Sequence, residues 1–517
     1  MSNPLFATQS RILKICIFAT GCAGIVAEFV LSTLASYLLG NPILQWTVWM
    51  SLMLFAMGLG CRISKYILHN LLDKFIFLEF TLSILCGISV ALCYWASTFS
   101  HNTGLLIYSF SILIGLLIGV EIPLVTRMNE SYEELRVNIS SVMEKDYYGA
   151  LVGGLLFAFF ALPFLGLTYT PIALGIINFL VASILFWKFK HLLHYKKAIK
   201  ISFWSITAFF LLFIFAVKPV MLFSEQKKYK DRIIFEQQTA YQKIVITQWK
   251  DNYWLFINGN EQFSTFDEEK YHEPLIHPAM SLSIQRRNIL VLGGGEGLAV
   301  REILKYKDVK AVTVVDLDPV VTDLAQHNPI ITKINQNAMV DLKVNIINQD
   351  AFIFIENSEE FYDVIFVDLP DPNSVSLSRL YSREFYSLCR RRLNKYGIIV
   401  TQASSPIHSP NSFVCIIKTM ESAGFTVLPY HNNIPTLGEW GWCLGMRKEV
   451  VSNDMLKTKV MEIEMPLPPT KFLNKDAIIS MVHFGKGILE KKDKVKVNTV
   501  MDPIIVKYYK KGAWDVY

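Results

Sequence analysis

Long apolar segments fill the first part of this chain and restrict what that part can fold into. A helix of about 20 apolar residues crosses the ~30 Å hydrocarbon core of a bilayer. Of all residues 52% are hydrophobic, and the excess lies before about residue 220. We therefore predict a polytopic domain over residues 1–225 that contacts the lipid bilayer of the cell membrane. It would have about seven spans, at roughly 13–38, 43–61, 75–96, 104–123, 147–165, 171–187 and 201–217.

Charge in the loops predicts which side of the membrane each part faces. The loops 62–74, 127–145 and 188–200 are basic, and the positive-inside rule places them in the cytoplasm with the N-terminus. Seven spans would then put the second half of the chain outside. Basic residues nevertheless follow the last segment, at Lys218, Lys227, Lys228, Lys230 and Arg232. We predict that the second half is cytoplasmic and that the count is off by one, because the first segment hides a break or the last does not cross.

Three acidic residues stand out in the apolar half, namely Glu28, Glu121 and Asp146. An ionisable group at membrane depth is costly and by default suggests a function. Glu28 lies mid-span among small residues, and we expect it to face a neighbouring helix or a path for a cationic solute. Glu121 and Asp146 are expected at the membrane interface. Three glycines are interpreted as helix-packing positions: Gly149, Gly153 and Gly154.

Composition excludes several kinds of partner and site. The net charge of +6 is small for 517 residues, and the basic residues are scattered or flank apolar segments, so no nucleic-acid partner is expected. The eight cysteines include no C-x-x-C pair, and most lie in or beside apolar segments. Neither a disulfide framework nor a zinc site is indicated, and we expect no metal.

The second half has the composition of a soluble protein and divides into three parts. Residues 230–285 contain strand-like runs and the turn Asn258-Gly259, which predict a small β-rich subdomain. Residues 286–450 alternate buried strands with helical spacing, as in an α/β Rossmann-like domain. The polar, Lys-rich C-terminal extension, residues 451–517, contains no motif that assigns it a role.

A glycine-rich turn opens the Rossmann-like part. The apolar run 289–292 is typical of a buried parallel strand, and G-G-G-E-G follows at 293–297 before a helical segment. Gly293 and Gly295 would let the backbone turn tightly and leave room for a ligand. A second strand ends at Asp316, where an acid would accept hydrogen bonds from a ribose. The alternative is a purely structural turn, as in any α/β domain.

Acidic residues gather where the predicted strands end. They are Glu296, Asp316, Asp350, Asp368 and Asp371. Ligands of open α/β sheets bind at this edge, and a phosphate would require Lys, Arg or bare amides there. We therefore expect a ligand with ribose hydroxyls and positive charge but no phosphate, such as a sulfonium nucleoside. A cationic amine would suit the same pocket as the second substrate.

A series of short motifs over about residues 230–450 resembles the spermidine synthase, or polyamine aminopropyltransferase, family in order and spacing. The motifs are Tyr241-Gln242, Asp267-Glu268, Tyr271-His272-Glu273, 293–297, 316–318, Asp350-Ala351, 368–372 and Leu380-Tyr381. With its apolar half, the whole chain resembles the membrane-bound bacterial branch of that family. The resemblance implies a methyltransferase-type Rossmann fold in the second half.

The same resemblance implies a role for each motif residue. Asp316 would bind the ribose of the co-substrate decarboxylated S-adenosylmethionine. Its adenine and the rest of the nucleoside would be contacted by Gln242, Gly293, Gly295, Asp350 and Ala351. The amine would be held by Tyr271, His272, Glu296 and Asp371. Asp368 would be the catalytic proton acceptor.

These roles imply a polyamine aminopropyltransferase that acts on putrescine and yields spermidine and methylthioadenosine, without a prosthetic group. A homo-oligomer is possible. Two alternatives stay open from the residues alone. One is an S-adenosylmethionine-dependent methyltransferase, although Glu296 would repel the carboxylate of a methyl donor. The other is a non-catalytic polyamine sensor or transporter, which Glu28 favours and Asp368 disfavours.

Overall fold

The computed structural model describes residues 4–39, 42–99, 103–239, 241–463 and 468–514. Parts of the predicted C-terminal extension, residues 464–467 and 515–517, lie outside the described residues. The chain forms two compact units, Met1–Arg232 and Ile233–Tyr517. The C-terminal extension thus belongs to the same unit as the Rossmann-like part.

The first unit is helical. Its helices are α1 (Pro4–Leu39), α2 (Pro42–Ser64), α3 (Leu71–Ser97), α4 (Thr103–Asn129), α5 (Leu135–Leu156), α6 (Gly166–Lys188) and α7 (Lys196–Lys228). A π-helical segment, Phe157–Leu165, joins α5 to α6. In the described part of the chain, six helical runs are long and apolar enough to cross a membrane, and one of them, Leu135–Lys188, has 54 residues.

This long run has two arms that point in opposite directions. Gly166, with φ +60° and ψ −169°, interrupts the helical backbone between them. Gly149 lies against Phe18 and Gly153 against Cys22, so α5 runs parallel to α1. In α6, Gly175 lies against Ser83 and Phe179 stacks on Phe80, so α6 runs antiparallel to α3. Each of the seven predicted apolar segments therefore corresponds to one helix.

The basic loops lie together at one end of the helix bundle. Lys14 pairs with Glu133 at 2.6 Å. The guanidinium of Arg127 donates to the carbonyls of Ile67 and Ser64 at 2.9 and 3.1 Å. Asp73, at the start of α3, accepts hydrogen bonds from the backbone N–H groups of His194 and Tyr195. We call this the basic end of the bundle.

Helix α7 crosses the bundle from the basic end to the opposite end. It begins beside Asp73 and finishes where Glu225 accepts a hydrogen bond from Tyr37 and Lys228 lies over the ring of Tyr94. Helix α1 is unbroken from Pro4 to Leu39. The first predicted segment therefore contains no break, and α7 ends at the end of the bundle opposite the basic loops.

Two of the three acidic residues singled out in the helical unit are buried. Glu28 and Glu121 are 8% and 2% exposed. Glu121 lies beside the fully buried Glu79 of α3, a residue that the sequence did not single out. Asp146 packs against α1 at Gly21, where an added Cβ would lie 2.7 Å from its Oδ1. The acidic groups thus lie between helices.

The second unit begins with a small sheet and a helix. Strands β1 (Arg232–Gln238), β2 (Lys243–Trp249), β3 (Asn252–Ile257) and β4 (Asn260–Ser264) follow one another in order, and β2, β3 and β4 pair antiparallel. Helix α8 (Glu269–Leu282) comes next. This is the predicted β-rich subdomain.

A seven-stranded sheet forms the centre of the second unit. Its strands are β5 (Asn288–Gly293), β6 (Ala311–Asp316), β7 (Val344–Asn348), β8 (Tyr362–Asp368), β9 (Leu393–Gln402), β10 (Phe425–Ile434) and β11 (Gly438–Arg447). The spatial order is β10-β11-β9-β8-β5-β6-β7. Strands β5 to β9 are parallel, and β11 is antiparallel to both neighbours. The predicted methyltransferase-type Rossmann fold is confirmed.

Eleven α-helices belong to the second unit in its described residues. Besides α8, they are α9 (Leu298–Leu304), α10 (Pro319–His327), α11 (Pro329–Ile334), α12 (Ala351–Asn357), α13 (Val375–Ser378), α14 (Arg383–Arg392), α15 (Pro410–Ser422), α16 (Asn453–Met461), α17 (Lys475–Met481) and α18 (Ile504–Lys510). The chain passes from β5 to β6 on one side of β5, and from β8 to β9 on the other side. The strand order therefore changes direction at β5, and a crevice opens at the carboxyl ends of β5, β6 and β8.

The glycine contacts of α1 and α5 lead to a testable prediction. A Cβ on Gly149 would lie 2.1 Å from the backbone oxygen of Phe18, whereas a Cβ on Gly58 of α2 meets nothing within 4 Å. We expect Gly149→Ala to destabilise the protein by about 1–3 kcal/mol, because the helices must separate. Gly58→Ala is the matched control and should be nearly neutral. Thermal unfolding in detergent measures both, and equal midpoints would contradict the close packing.

Candidate active site

The glycine-rich loop after β5 fits against the end of β8 only because it has no side chains. Gly293 and Gly294 have φ of +84° and +63°, values that glycine adopts without strain. A Cβ on Gly293 would lie 2.0 Å from the backbone oxygen of Asp368. The N–H of Gly294 donates to that same oxygen at 3.1 Å. The loop and the carboxylate of Asp368 are thereby held side by side.

Asp316, at the end of β6, closes the other side of the loop. Its Oδ2 accepts a hydrogen bond from the N–H of Gly295 at 3.2 Å, and its Oδ1 accepts from the N–H of Asp318 at 3.0 Å. Burial raises the pKa of Asp316 to about 6 despite these two bonds. The carboxylate faces the loop where the predicted ribose would lie.

Gln242 lies on a turn that is tied to the same region. The backbone oxygen of Gln242 accepts hydrogen bonds from the N–H and the hydroxyl of Thr239. The Thr239 hydroxyl lies 2.7 Å from Oδ2 of Asp318, two residues after Asp316. The small sheet thus brings the turn that carries Gln242 to the end of β6, where the nucleoside is predicted to bind.

Asp350 and Ala351 lie where β7 leads into α12. Asp350 caps the helix, because its Oδ1 accepts from the N–H groups of Phe352 and Ile353 at 3.0 and 3.1 Å. Its Oδ2 pairs with Arg379. Ala351 is buried at the first position of the helix. Sequence reasoning missed Arg379, which no motif marks and which occupies one oxygen of the carboxylate predicted to contact an adenine.

Asp368 receives a hydrogen bond from α8. The hydroxyl of the buried Tyr271 donates to its Oδ1 at 2.6 Å. Burial, and then the neighbouring Glu296 carboxylate, raise the pKa of Asp368 to about 6, although His272 and Tyr271 act in the opposite direction. At neutral pH most of this carboxylate is ionised and can accept a proton.

His272 lies between two carboxylates. Its Nδ1 is 3.0 Å from Oε2 of Glu268, and its Nε2 is 3.6 Å from Oε1 of Glu296. Burial alone would lower the pKa of His272, but the bonds to Glu268 and Glu296 raise it to about 10. The ring is therefore an imidazolium at neutral pH.

A metal ion is the other species that this cluster of side chains could hold. Donor atoms of His272, Glu296 and Asp368 lie within 4.8 Å of one another. A metal-bound histidine must offer an unprotonated ring nitrogen. A metal ion would have to displace the proton that Glu268 and Glu296 stabilise on His272, whereas an ammonium group requires only the two carboxylates.

A buried network of charged side chains holds His272 through its bond to Glu268. Glu268 accepts a hydrogen bond from Arg301 at 2.8 Å, and Arg301 also contacts Glu302 at 2.9 Å. Burial would raise the pKa of Glu268, but its bonds to His272 and Arg301 lower it to about 2. Sequence reasoning did not find Arg301, which lies in α9 with no motif to mark it. Glu268 appeared only as part of a motif.

Asp371 is held by three neutral donors. Its Oδ1 accepts from the side-chain amide of Gln402 at 3.1 Å, and its Oδ2 lies 3.4 Å from the hydroxyl of Ser404. The hydroxyl of Tyr509, from α18, also interacts with it. Burial raises the pKa of Asp371 to about 6, and the three donors oppose that rise. Gln402 ends a predicted strand, but nothing in the sequence indicates Tyr509.

Glu273 has a different role from its two neighbours in the Y-H-E motif. Its carboxylate accepts hydrogen bonds from the backbone N–H groups of Lys471, Phe472 and Leu473 at 2.6 to 2.9 Å. The three residues of the motif therefore have different roles. Tyr271 bonds Asp368, His272 lies between carboxylates, and Glu273 anchors the C-terminal extension to α8.

The crevice as a whole is acidic. Four carboxylates from two strand ends and the glycine-rich loop line it: Asp316, Asp368, Asp371 and Glu296. Such a surface attracts cations and accepts hydrogen bonds from hydroxyls. The arrangement can bind a cationic nucleoside beside an amine and can take a proton from that amine.

Comparison with known proteins agrees with this chemistry. Residues 268–457 match the family described as the spermine/spermidine synthase domain. The chain is 43% identical to polyamine aminopropyltransferase 2 of Aquifex aeolicus, over 97% of this chain and 99% of the relative. It is 37% identical to the polyamine aminopropyltransferase of Oceanobacillus iheyensis, over 100% of each. Spermidine synthase from Thermotoga maritima has 21% identity and a TM-score of 0.44, over 51% of this chain and 87% of that one.

Identities of this size, over nearly the full length of both chains, decide the question of family. This chain belongs to the polyamine aminopropyltransferase family and is a transferase.

Proposed function

We propose that this enzyme transfers the aminopropyl group of decarboxylated S-adenosylmethionine to putrescine, yielding spermidine and methylthioadenosine. One observation carries the proposal. Asp368 ends a buried strand next to the glycine-rich loop, with the Tyr271 hydroxyl 2.6 Å from its Oδ1. A proton acceptor thus lies beside the place where the nucleoside would bind.

The donor would bind along the glycine-rich loop. Asp316 would accept hydrogen bonds from the ribose hydroxyls, and Gly293 and Gly295 would allow close approach of the nucleoside. Gln242, Asp350 and Ala351 would contact the remainder, with the adenine near the start of α12. Binding there requires Arg379 to release Oδ2 of Asp350 or to share it. No prosthetic group is needed for this chemistry.

The amine would bind on the other side of Asp368. Glu296 and Asp371 would hold ammonium groups by charge-assisted hydrogen bonds. The imidazolium of His272 would keep Glu296 in place rather than bind the cation itself, because both are positively charged. Tyr271 would orient the Asp368 carboxylate by its hydrogen bond.

Each step of the reaction then has a group to perform it. A primary ammonium has a pKa of about 10, so its nitrogen must lose a proton before it can attack. Asp368 takes that proton. A nitrogen–carbon bond forms as the carbon–sulfur bond breaks, and the electron pair of that bond neutralises the sulfonium to give a thioether. Alignment of nitrogen, carbon and sulfur by the carboxylates supplies much of the rate.

We also propose that the helical unit spans the cell membrane and that residues 225–517 face the cytoplasm. Six helical runs of the described residues have the length and composition to cross a bilayer. The cytoplasmic side is supported by the cytosolic origin of the proposed donor and by the basic residues around the end of α7, among them Lys227 and Lys228. The basic end of the bundle must then face outward, against the positive-inside rule.

Replacement of the proposed proton acceptor gives a direct test. We expect Asp368→Asn to lower the rate of transfer by about 10²–10⁴, the usual effect of removing a general base, and to leave binding of methylthioadenosine largely unchanged. Asp323→Asn is the control, because Asp323 is exposed and paired only with His327 on α10. Mass spectrometry of the products measures the rates. An Asp368→Asn enzyme with most of the wild-type rate at neutral pH would refute the assignment.

The ribose contact is tested separately. We expect Asp316→Ala to weaken the binding of methylthioadenosine by roughly 1.5–3 kcal/mol, because hydrogen bonds to a charged acceptor are lost. The KM for putrescine should change far less. Calorimetric titration gives the dissociation constant. Asp308→Ala, on the surface beside Arg286, serves as the control. An unchanged dissociation constant would place the ribose elsewhere.

Reporter fusions decide the orientation. We expect fusions after residue 225 and at the C-terminus to give fluorescent green fluorescent protein and inactive alkaline phosphatase, because both sites would be cytoplasmic. Fusions in the loop 188–200 are the internal comparison, since that loop lies at the opposite end of the bundle and should report the opposite side. Active phosphatase at both downstream sites would overturn the cytoplasmic orientation and would require an extracellular donor.

A further inference from the structure

We propose that the C-terminal extension forms one wall of the amine side of the site, and that Tyr509 is a positioning residue that fixes Asp371 and so selects the acceptor amine. This inference rests on the proposed aminopropyl transfer. The matched family domain ends at residue 457, so Tyr509 comes from chain beyond it.

Two observations carry the inference: the Tyr509 phenol interacts with the Asp371 carboxylate, and Asn498 of the same extension is hydrogen-bonded to the segment that supports the loop of Asp371. Gln402 and Ser404, the other two donors to Asp371, come from the central sheet and the loop that follows it. Removal of the extension would therefore leave Gln402 and Ser404 to hold this carboxylate.

Tyr509 is itself held firmly by the end of the chain. The ring of Trp514 lies 4.6 Å from the ring of Tyr509, and its Nε1 donates to the backbone oxygen of Tyr509 at 2.9 Å. Trp514 also stacks on His408 at 5.6 Å, and the N–H of Ala513 donates to the His408 oxygen at 2.8 Å. The segment is thus docked on the loop that follows β9.

A second contact places the extension behind the same site. The side-chain amide of the fully buried Asn498 donates to the backbone oxygens of Ser378 and Tyr381 at 2.8 and 3.0 Å. The hydroxyl of Tyr381 in turn donates to the oxygens of Leu369 and Pro370, between the two aspartates. The extension therefore braces the loop that carries both Asp368 and Asp371.

A third contact links the extension to the opposite wall. Glu273, next to His272 on α8, accepts hydrogen bonds from the N–H groups of Lys471, Phe472 and Leu473. Lys305 donates to the oxygen of Pro469 at 2.8 Å. The extension is therefore fixed to α8, which supplies Tyr271 and His272, and to the loop that supplies Asp371. It thus joins the helix whose residues contact Asp368 and Glu296 to the loop that carries Asp371.

Three phenols interact with the charge of Asp371, and Asp368 lies near the same phenols of Tyr381 and Tyr271. Burial and the neighbouring carboxylates raise the pKa of Tyr509, Tyr381 and Tyr271, so each phenol is neutral at working pH. The Tyr509 hydroxyl favours the ionised form of Asp371. Without that hydroxyl, the pKa of Asp371 rises above about 6.

The test compares two adjacent conservative variants of the full-length protein in detergent. Tyr509→Phe removes the donor to Asp371 and keeps the ring. Tyr508→Phe is the control, because the Tyr508 hydroxyl accepts from the N–H of Lys496 and does not touch the site. The substrates are α,ω-diamines with three, four and five methylene groups. Thermal midpoints show whether each variant is folded.

We expect Tyr509→Phe to raise the KM for the preferred diamine about tenfold, the effect of losing one hydrogen bond to a carboxylate. The difference in kcat/KM between the best and the worst of the three diamines should become smaller. The fall of kcat/KM at acidic pH should occur at a higher pH than in the wild type. Affinity for methylthioadenosine should be unchanged, and Tyr508→Phe should match the wild type.

Unchanged amine KM, preference and pH profile in folded Tyr509→Phe would overturn the inference. Equal loss of donor affinity and of kcat would also overturn it, because that pattern marks a general structural role. Wild-type enzyme that transfers to none of the diamines would refute the proposed function itself, which distinguishes the two failures.

Discussion

The ion pair between Glu268 and His272 is the interaction on which the acidic site depends. Glu296 and Asp368 lie so close to the same ring that their donor atoms and that of His272 fall within 4.8 Å of one another. Two carboxylates at such a distance repel each other strongly when buried. The imidazolium of His272 offsets that repulsion, and Glu268, itself paired with Arg301, keeps the ring charged. One fixed cation thus lets the remaining carboxylates stay ionised for a substrate.

The sequence predicted the site residues that lie at the ends of strands. The carboxyl ends of parallel strands meet at one edge of a sheet, so Asp316 and Asp368 could be brought together before any coordinates were known. The pairs Arg379–Asp350 and Tyr509–Asp371 could not, because each joins segments far apart in sequence by a single contact that leaves no periodic pattern. Most of the fold was predictable from hydropathy, whereas the partners of the charged groups required the three-dimensional packing.

In the helical unit too, the helices were predictable from the sequence, whereas the contacts between their ends were not. Apolar length predicted each helix, including the two arms of the run Leu135–Lys188 that Gly166 separates. Hydropathy carries no information on which loops share an end, and the contacts of Asp73 and Glu225 supply it. They show that α7 ends opposite the basic loops. In the proposed membrane arrangement, positive charge in the loops and the origin of the donor would therefore favour opposite orientations of the helical unit.

The raised pKa values of the site couple amine binding to proton binding. Asp316, Asp368 and Asp371 each have a pKa of about 6, because burial disfavours their charge. A cation beside such a carboxylate favours its ionised form and lowers its pKa, so cations must bind more tightly as the pH rises through about 6. A ligand with its own carboxylate has the opposite effect. Such a ligand can bind only if one of these carboxylates takes up a proton. The site therefore favours a decarboxylated sulfonium donor over a donor that retains its carboxylate.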